Sequence, residues 1–234
     1  MSPVNYQAVL FDLDGTLLDT APDFTTAINL ILRRHQRPTL AENDIRAIIT
    51  HGSAGLLSHA FNCSEDDANF EALREEFLDI YFQHLAQNTC LFPGMETLLK
   101  ALGEHNIPWG IVTNKPRRFT RAILEGLALQ PAPQSVVCPD DVEHNKPHAE
   151  PVLLACQQLG VAPQHCVFIG DHLRDIESGI NAGTATIAAA YGYIDEVERP
   201  GDWGADYLVD DPRQLFDLVI ARSSSKAAPT QQAS

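Results

Sequence analysis

The sequence predicts an α/β fold in which helices cover both faces of a doubly wound parallel sheet. Short apolar segments alternate with helical patterns along the chain, and this alternation favours parallel strands joined by helical crossovers. A block of about 70 residues near the N-terminus interrupts the alternation and has helical patterns only. Such a block is too long for a crossover, so we expect a Rossmann-like core that carries an inserted helical subdomain.

Six segments have the composition of buried strands. They are residues 7–11, 108–113, 135–138, 165–170, 184–189 and 206–210. Helical patterns lie between them. The stretch GMETLLKALGEHN places Met95, Leu98, Leu99 and Leu102 along one stripe. The stretch EPVLLACQQLG shows the same spacing and ends at Gly160, a residue typical of helix C-caps.

The insertion and the C-terminal tail are distinguished from the core by their patterns. Three helical patterns, at 23–35, 42–50 and 66–87, fill the insertion, and no strand pattern separates them. The last residues are small, polar and unpatterned, which is typical of disorder. We therefore expect a core domain formed by residues 1–19 and 91–220, a helical cap at 20–90 and a disordered tail at 221–234.

Composition limits the possible partners and location. The net charge is −15, with 16 basic and 31 acidic residues, and such a field repels nucleic acid and anionic membrane surfaces. The N-terminus lacks the pattern of a signal peptide, and no apolar run reaches the ~18 residues of a membrane span. The five cysteines form no C-x-x-C pair. We expect a cytoplasmic protein with no nucleic-acid or membrane partner, present as a monomer or weak homodimer.

Two acids follow the first predicted strand. In VLFDLDGTLLDT, Asp12 and Asp14 come after an apolar run and precede Gly15. Asp-Gly between apolar residues is also a hairpin signal, but the next strand pattern lies about ninety residues further on. Two carboxylates that leave a strand end together repel each other unless a cation lies between them, and oxygen ligands suit magnesium.

Three more predicted strands are also followed by polar residues. These residues are Thr113 and Asn114 after the second strand, Lys146 after the third, and Asp171 with Asp175 after the fourth. Each has an ordinary alternative, because threonine and aspartate cap helices and lysine is common in solvated loops. Ligands of parallel α/β sheets bind at the carboxyl ends of the strands, so the shared position of all four groups favours a site.

These motifs resemble those of the haloacid dehalogenase (HAD) superfamily of hydrolases. DLDGT, the strand-end Thr113, Lys146 and GDHLRD match its four motifs in order and spacing, over residues 7 to about 211. The length and the helical insertion resemble the phosphoglycolate phosphatase-type branch, in which a helical cap lies between the first two motifs. The resemblance implies a HAD-type Rossmann-like core and a phosphatase that requires Mg²⁺.

The resemblance also implies a role for each motif residue. Asp12 would attack phosphorus and become an aspartyl phosphate, while Asp14 would protonate the leaving group and then activate water. Lys146 would offset negative charge, with Asp175 in support. Magnesium would be held by Asp12, the backbone carbonyl of Asp14 and Asp171. Phosphate oxygens would be bound by Thr113, the backbone at Asn114 and the amide of Gly15.

The substrate is expected to be a small phosphate ester that carries a carboxylate. The stretch IRAIITHGSAGLL (45–57) is predicted to be a loop that contacts the leaving group, with Arg46 as a partner for the carboxylate. The resemblance implies N-acetylmuramic acid 6-phosphate, a substrate of peptidoglycan sugar recycling, as one candidate, and the small residues at 52–55 favour it because they leave room for a sugar. Alternatives are 2-phosphoglycolate and a sugar phosphomutase reaction. A phosphoacceptor signalling domain is a non-enzymatic alternative, but such domains lack the D-x-D-G-T spacing.

Overall fold

The computed structural model describes residues 6–195 and 197–221. Within them, a six-stranded sheet has the order β5-β4-β1-β6-β7-β8, and each neighbouring pair is parallel. Its strands are β1 (Ala8–Phe11), β4 (Trp109–Val112), β5 (Ser135–Val137), β6 (Cys166–Gly170), β7 (Ala185–Ala189) and β8 (Tyr207–Val209). All six fall inside the six segments predicted from the sequence, and the predicted fold class is confirmed.

The helices of the core cover both faces of this sheet. They are α5 (Met95–Glu104), α6 (Arg117–Leu127), α7 (Glu150–Leu159), α8 (Leu173–Ala182) and α9 (Gln214–Phe216), the last continuing as a π-helical turn over Asp217–Ala221. In β1, Val9 and Phe11 pack into one apolar cluster, while Ala8 and Leu10 pack into the cluster on the opposite face. A strand that is buried on both faces has a continuous apolar sequence, as β1 has.

A second pair of strands marks the passage between the core and the inserted helices. Strand β2 (Leu18–Asp19) pairs with β3 (Cys90–Leu91) in antiparallel register, with Leu18 opposite Leu91. Two-residue strands leave no periodic pattern, so the sequence did not predict this pair. The chain therefore leaves and re-enters the core side by side.

The segment between β2 and β3 is helical. It contains α1 (Ala21–Arg34), α2 (Glu42–Arg46), α3 (Gly52–Phe61) and α4 (Phe70–Gln83), with a 3₁₀ turn at Ile49–His51. We call these helices and their connections, residues 21–83, the helical unit. Its apolar side chains form a cluster of their own, which also takes in Phe119 and Tyr193 from the core. The division into domains at residues 19/20 and 90/91 stays a prediction.

The structure corrects the predicted loop at 45–57. This stretch is the end of α2, a 3₁₀ turn and the first part of α3. Gly52, at φ +70°, ends the 3₁₀ turn and begins α3, so the small residues at 52–55 form the first turn of that helix and not an open loop.

Two further predictions concern the ends of the chain and the membrane. The predicted disordered tail, 221–234, lies outside the described residues apart from Ala221. Among the described residues, none of the helices has the length and apolar character needed to cross a bilayer. The cytoplasmic location stays a prediction.

Asp23 in α1 ties the helical unit to the strand that returns to the core. Its buried carboxylate accepts hydrogen bonds from the amide of Asn88 (2.8 Å) and from the amide and hydroxyl of Thr89 (3.3 and 2.6 Å).

Asp23→Ala should lower the free energy of unfolding by about 2 kcal/mol, because Thr89 would keep buried donors without an acceptor. Urea denaturation would measure the change. Asp44→Ala, at an exposed acid of α2, is the control and should stay within about 0.5 kcal/mol of the parent protein. Equal losses for both variants would contradict the prediction.

Candidate active site

Polar side chains meet at the carboxyl-terminal edge of the sheet. Asp12 follows β1, Thr113 follows β4 and Asp171 follows β6, and β1 lies between the other two strands. Parallel neighbours end at the same edge, so these side chains come together there. They line a cavity of about 320 Å³ whose opposite wall is formed by the helical unit. The predicted site residues that line it are Asp12, Asp14, Thr113, Asn114, Lys146, Asp171 and Asp175.

Lys146 is buried among negative partners. Its ammonium lies 2.6 Å from Asp12 Oδ1 and 2.7 Å from Asp175 Oδ1, and it donates to the carbonyl of Val112 at 2.8 Å. Burial alone would lower the pKa of Lys146, but the charges of Asp12 and Asp175 outweigh burial and raise it. Lys146 is therefore a fixed positive charge beside Asp12.

Asn114 holds the backbone that carries Lys146. Its side-chain amide donates to the Lys146 carbonyl at 3.1 Å, and its side-chain oxygen accepts from the Lys146 amide at 3.2 Å. Next to it, the Thr113 hydroxyl accepts a hydrogen bond from the Lys115 amide at 3.0 Å and so fixes the turn after β4. The side chain of Asn114 thus aligns two strand-end segments.

The acids beside Lys146 repel one another. Burial raises the pKa of Asp12 to about 6, although the neighbouring Lys146 opposes the shift. Burial also raises the pKa of Asp171 well above its usual range, and the charges of Asp12 and Asp175 add to the effect. Carboxylates with such pKa values lack a positive partner that fully compensates their charge.

This donor set fits a hard divalent cation. Carboxylate oxygens of Asp12, Asp171 and Asp175 lie within 4.8 Å of one another, and all three residues are buried. Their three negative charges and the one positive charge of Lys146 leave two negative charges, which one divalent cation would neutralise. Oxygen-only donors suit magnesium rather than zinc. The carboxylate of Asp14 points elsewhere, so Asp14 could contribute to a metal only through its backbone carbonyl.

Gly15 leaves the space that the Asp171 carboxylate occupies. It has φ +86°, and a Cβ atom there would come within 2.1 Å of Asp171 Oδ2, so no side chain fits. The sequence predicted that the Gly15 amide binds phosphate, but that amide donates to the Leu18 carbonyl at 3.0 Å. The glycine of the D-x-D-G motif thus serves close packing rather than phosphate binding.

Two residues orient the carboxylate of Asp171. The Thr16 hydroxyl donates to Oδ1 at 2.9 Å, and the backbone amide of Tyr193 donates to Oδ2 at 2.8 Å. The Tyr193 hydroxyl continues the chain of contacts, since it donates to Asp19 (2.8 Å) and accepts from the Ala21 amide (2.7 Å). Asp171 is thereby connected to the point where the helical unit begins.

Asp14 has a basic partner that the sequence analysis did not identify. The Lys115 ammonium donates to Asp14 Oδ1 at 2.9 Å and to Oδ2 at 3.2 Å, and the Thr20 hydroxyl donates to Oδ1 at 2.7 Å. Lys115 directly follows Thr113 and Asn114 in the chain, and this position at a strand end was the available signal. What the sequence could not indicate is that the side chain turns towards Asp14.

Two arginines line the cavity where it borders the helical unit, a part that we call the far wall. Arg174, at the start of α8, donates to the carbonyl of Thr50 in the helical unit at 2.5 Å. Arg74 of α4 lies 3.4 Å from the Ser53 hydroxyl, and both arginines line the cavity. Arg74 also pairs with Glu71 at 3.3 Å, and the Arg174 guanidinium reaches Thr50, so both guanidinium groups lie where the helical unit borders the cavity.

Arg46 does not belong to this wall. Its guanidinium donates to Asp19 at 2.7 Å and to Glu42 at 2.7 and 3.0 Å, and it is not among the residues that line the cavity. The structure therefore does not bring Arg46 to the other predicted site residues. The reason is that α2 directs the Arg46 side chain towards Glu42 of the same helix and Asp19 of β2.

His172 lies between Asp171 and Asp175, and its contacts are with the start of α8. It is the N-cap of α8, where its Nδ1 accepts a hydrogen bond from the Arg174 amide at 3.1 Å, and Asp175 completes a capping box by accepting from the His172 amide at 3.0 Å. Burial lowers the pKa of His172, which favours this neutral acceptor.

The chain is similar to known phosphatases along nearly its whole length. The N-acetylmuramic acid 6-phosphate phosphatase of Pseudomonas aeruginosa is 45% identical over 219 residues, which cover 94% of this chain and 97% of the relative. The phosphoglycolate phosphatase of Xanthomonas campestris pv. campestris is 40% identical over 211 residues, which cover 90% and 95%.

A solved structure and a family profile agree with these relatives. The crystal structure of a predicted phosphoglycolate phosphatase from Haemophilus somnus matches with a TM-score of 0.79 and 25% identity, over 91% of this chain and 97% of that chain. A profile of the haloacid dehalogenase-like hydrolases matches residues 9–189. The resemblance seen in the motifs is confirmed, and the chain belongs to the haloacid dehalogenase-like hydrolase family.

Proposed function

We propose that the protein is a Mg²⁺-dependent phosphomonoester phosphatase that works through an aspartyl-phosphate intermediate. The observation that carries this proposal is the buried contact between Asp12 and Lys146, at the strand edge where Asp171 and Asp175 complete an acidic cluster. A carboxylate beside a fixed ammonium can approach a phosphate dianion with less repulsion than a carboxylate alone. The same cluster would hold the cation that such chemistry needs.

The reaction has two steps. In the first, an oxygen of Asp12 attacks phosphorus, the P–O bond of the ester breaks, and the leaving alkoxide takes a proton from the carboxyl group of Asp14. In the second, Asp14 takes a proton from water, the water oxygen attacks phosphorus, and the acyl phosphate bond breaks to release inorganic phosphate and Asp12. Thr113 and the backbone at Asn114 would bind the phosphate oxygens.

Asp12 and Asp171 would hold the cation, together with the backbone carbonyl of Asp14. When bound, Mg²⁺ supplies positive charge that offsets the charge of the transferring phosphoryl group. Thr16 and the Tyr193 amide keep the Asp171 carboxylate oriented. Asp175 would act through Lys146, because their contact at 2.7 Å holds the ammonium against Asp12.

The far wall of the cavity supports a substrate that carries a second anionic group. Arg74 and Arg174 line the same cavity as the acids, and guanidinium groups bind carboxylates with paired hydrogen bonds. The relative from Pseudomonas aeruginosa is named for N-acetylmuramic acid 6-phosphate, which has a carboxylate at the end remote from its phosphate. We infer that this sugar phosphate is the substrate and that the helical unit acts as a cap over it.

A second candidate is 2-phosphoglycolate. It also carries a carboxylate, and it gives its name to the phosphatase from Xanthomonas campestris. A cavity of about 320 Å³ lies near the lower end of the range for ligand pockets (~300–1,000 Å³), and a two-carbon acid would leave much of it empty. The volume therefore favours the sugar phosphate.

Asp12→Asn tests the nucleophile. This change keeps the shape of the side chain but removes the attacking charge, so kcat on p-nitrophenyl phosphate should fall at least about 1,000-fold. The melting temperature would show that the fold is retained, and Asp44→Asn is the matched control at an exposed acid. Activity near the parent level in Asp12→Asn would reject the proposed mechanism.

Magnesium should stabilise the fold in a pH-dependent way. The folded pKa of Asp12, about 6, lies above its usual value near ~3.9, so between these pH values the folded state keeps a proton that the unfolded chain has lost. Without metal, stability should thus fall as pH rises through this window. At pH 7.5 the Asp12 carboxylate is ionised, and magnesium at 100-fold excess over Kd should add about 2.7 kcal/mol, or roughly 5–10 °C in Tm.

At pH 5 protons compete with the cation, so the same magnesium concentration should raise Tm by less than half as much. Differential scanning fluorimetry with and without EDTA would measure both shifts. Asp171→Asn should lose most of the shift at pH 7.5, whereas Asp44→Asn should keep it. A shift of equal size at both pH values would argue against a site built from these acids.

Arginine variants test the substrate. Arg74→Gln and Arg174→Gln should each raise KM for N-acetylmuramic acid 6-phosphate about 10-fold or more, since a hydrogen bond to a charged group contributes ~1.5–3 kcal/mol. KM for p-nitrophenyl phosphate, which lacks the carboxylate, should change little. Arg34→Gln, at an exposed arginine of the same helical unit, is the control.

The KM values of the variants show which arginine binds the substrate carboxylate. The kcat/KM values of the parent protein show which substrate is preferred. If Arg46→Gln raises KM selectively and the other two variants do not, the cationic wall is not the carboxylate site. A higher kcat/KM on 2-phosphoglycolate than on N-acetylmuramic acid 6-phosphate would select the second candidate.

A further inference from the structure

Lys115 connects the core to the helical unit through a single ammonium group. The residue follows β4 in the core, and its ammonium donates to both oxygens of Asp14, at 2.9 and 3.2 Å. The same ammonium donates to the hydroxyl of Tyr81, on α4, at 2.9 Å. One charged group thus holds the acid of the D-x-D motif and a side chain of the helical unit together.

The surroundings of this ammonium belong to the helical unit. It lies 4.8 Å from the ring centre of Phe24 in α1 and 4.9 Å from that of Tyr81 in α4, and only 6% of the Lys115 side chain is exposed. The two rings are stacked on each other at 4.2 Å. Aromatic faces attract a cation, so these rings take the place of water around it.

Asp14 receives a second contact from the start of the helical unit. Thr20 immediately precedes α1, and its hydroxyl donates to Asp14 Oδ1 at 2.7 Å. Asp14 is therefore held from two directions, by the residue where α1 begins and, through Lys115, by α4. Thr20 lies directly before the helical unit, and the Tyr81 hydroxyl links the Lys115 contact to α4, so both contacts adjoin the helical unit.

We propose that Lys115 is a positioning residue that makes the action of Asp14 as a base depend on the seating of α4, because its ammonium bonds Asp14 and Tyr81 together. The proposal rests on the proposed function, in which Asp14 takes a proton from water in the second step. Seating α4 places the Tyr81 hydroxyl on the Lys115 ammonium, beside the Phe24 ring of α1, and Lys115 then holds the Asp14 side chain in one orientation.

When α4 is displaced, the ammonium loses its aromatic surroundings and gains water. Its contact with Asp14 then weakens, because exposed ion pairs contribute little. The aspartyl phosphate would therefore be hydrolysed efficiently only beneath a seated helical unit. An ordinary structural ion pair would have no such link, because its loss would affect binding and both chemical steps alike.

Pre-steady-state kinetics with p-nitrophenyl phosphate separate these two roles. This ester has a good leaving group that needs no acid, so kcat/KM reports attack by Asp12 and kcat reports hydrolysis of the intermediate when that step is slow. Lys115→Met should lower kcat about 30-fold, less than the ~100- to 10,000-fold that a general base contributes, since Asp14 itself remains. KM should fall in proportion, with kcat/KM within about threefold of the parent value. A burst of one p-nitrophenol per enzyme should precede the slow turnover.

Tyr81→Phe removes a single hydroxyl and tests the link to α4. It should lower kcat about fivefold with the same constant kcat/KM. If Tyr81 acts through Lys115, the double variant should be no slower than Lys115→Met alone, whereas independent effects would multiply. Lys100→Met is the control, because Lys100 is exposed and its ion pair is with Glu104 of the same helix, at 4.0 Å.

Parallel losses of kcat and kcat/KM in Lys115→Met, or multiplicative losses in the double variant, would overturn the proposal. If Lys115→Met does not fold, Tyr81→Phe decides alone through its kcat/KM. Failure of the proposed function would give a different result from failure of this proposal. Either the parent enzyme would show no turnover, or Asp12→Asn would retain activity.

Discussion

The buried charge balance around Lys146 is the constraint on which the site depends. Asp12, Asp171 and Asp175 are all withdrawn from water, and their mutual repulsion would drive them apart without a cation among them. Lys146 supplies the first positive charge from a loop after β5, and the side chain of Asn114 holds the backbone of Lys146 with two hydrogen bonds. Breaking such a buried pair from one side typically costs ~3–5 kcal/mol, so the loop, the strand ends and the helix start at Asp175 are held together by one ammonium.

The acidic cluster around Lys146 keeps an excess of negative charge, and this excess favours the binding of a cation. Asp14 and Lys115 form a locally neutral pair, while the acids around Lys146 keep two negative charges in excess. A divalent cation and then an anionic ester would complete this balance in turn. The whole molecule carries −15, yet the cavity presents Lys146, Arg74 and Arg174 towards its interior. Local arrangement of a few cations therefore decides which anions bind, whatever the sign of the overall charge.

Contacts between the core and the helical unit converge on the acids of the site. Tyr193 joins Asp171 to the first residues of α1, and Lys115 joins Asp14 to Tyr81 in α4. Arg174 adds a third contact, from α8 to the carbonyl of Thr50. A helical unit that only recognised substrate would need no contacts with the acids of the core. The first two of these contacts reach Asp171 and Asp14 themselves, so the position of the helical unit affects the orientation of these acids.

The sequence by itself determined the six strands, the helical insertion and the motif residues that line the cavity. Buried parallel strands leave apolar runs, and a binding edge leaves polar residues after them, so Asp12, Thr113 and Asp171 could be placed in advance. The tertiary structure alone decided where long side chains turn. Lys115 could have faced solvent, Arg46 could have faced the cavity, and the Gly15 amide could have been free; packing of α2, α4 and β2 settled each, and contacts between distant segments leave no local pattern in a sequence.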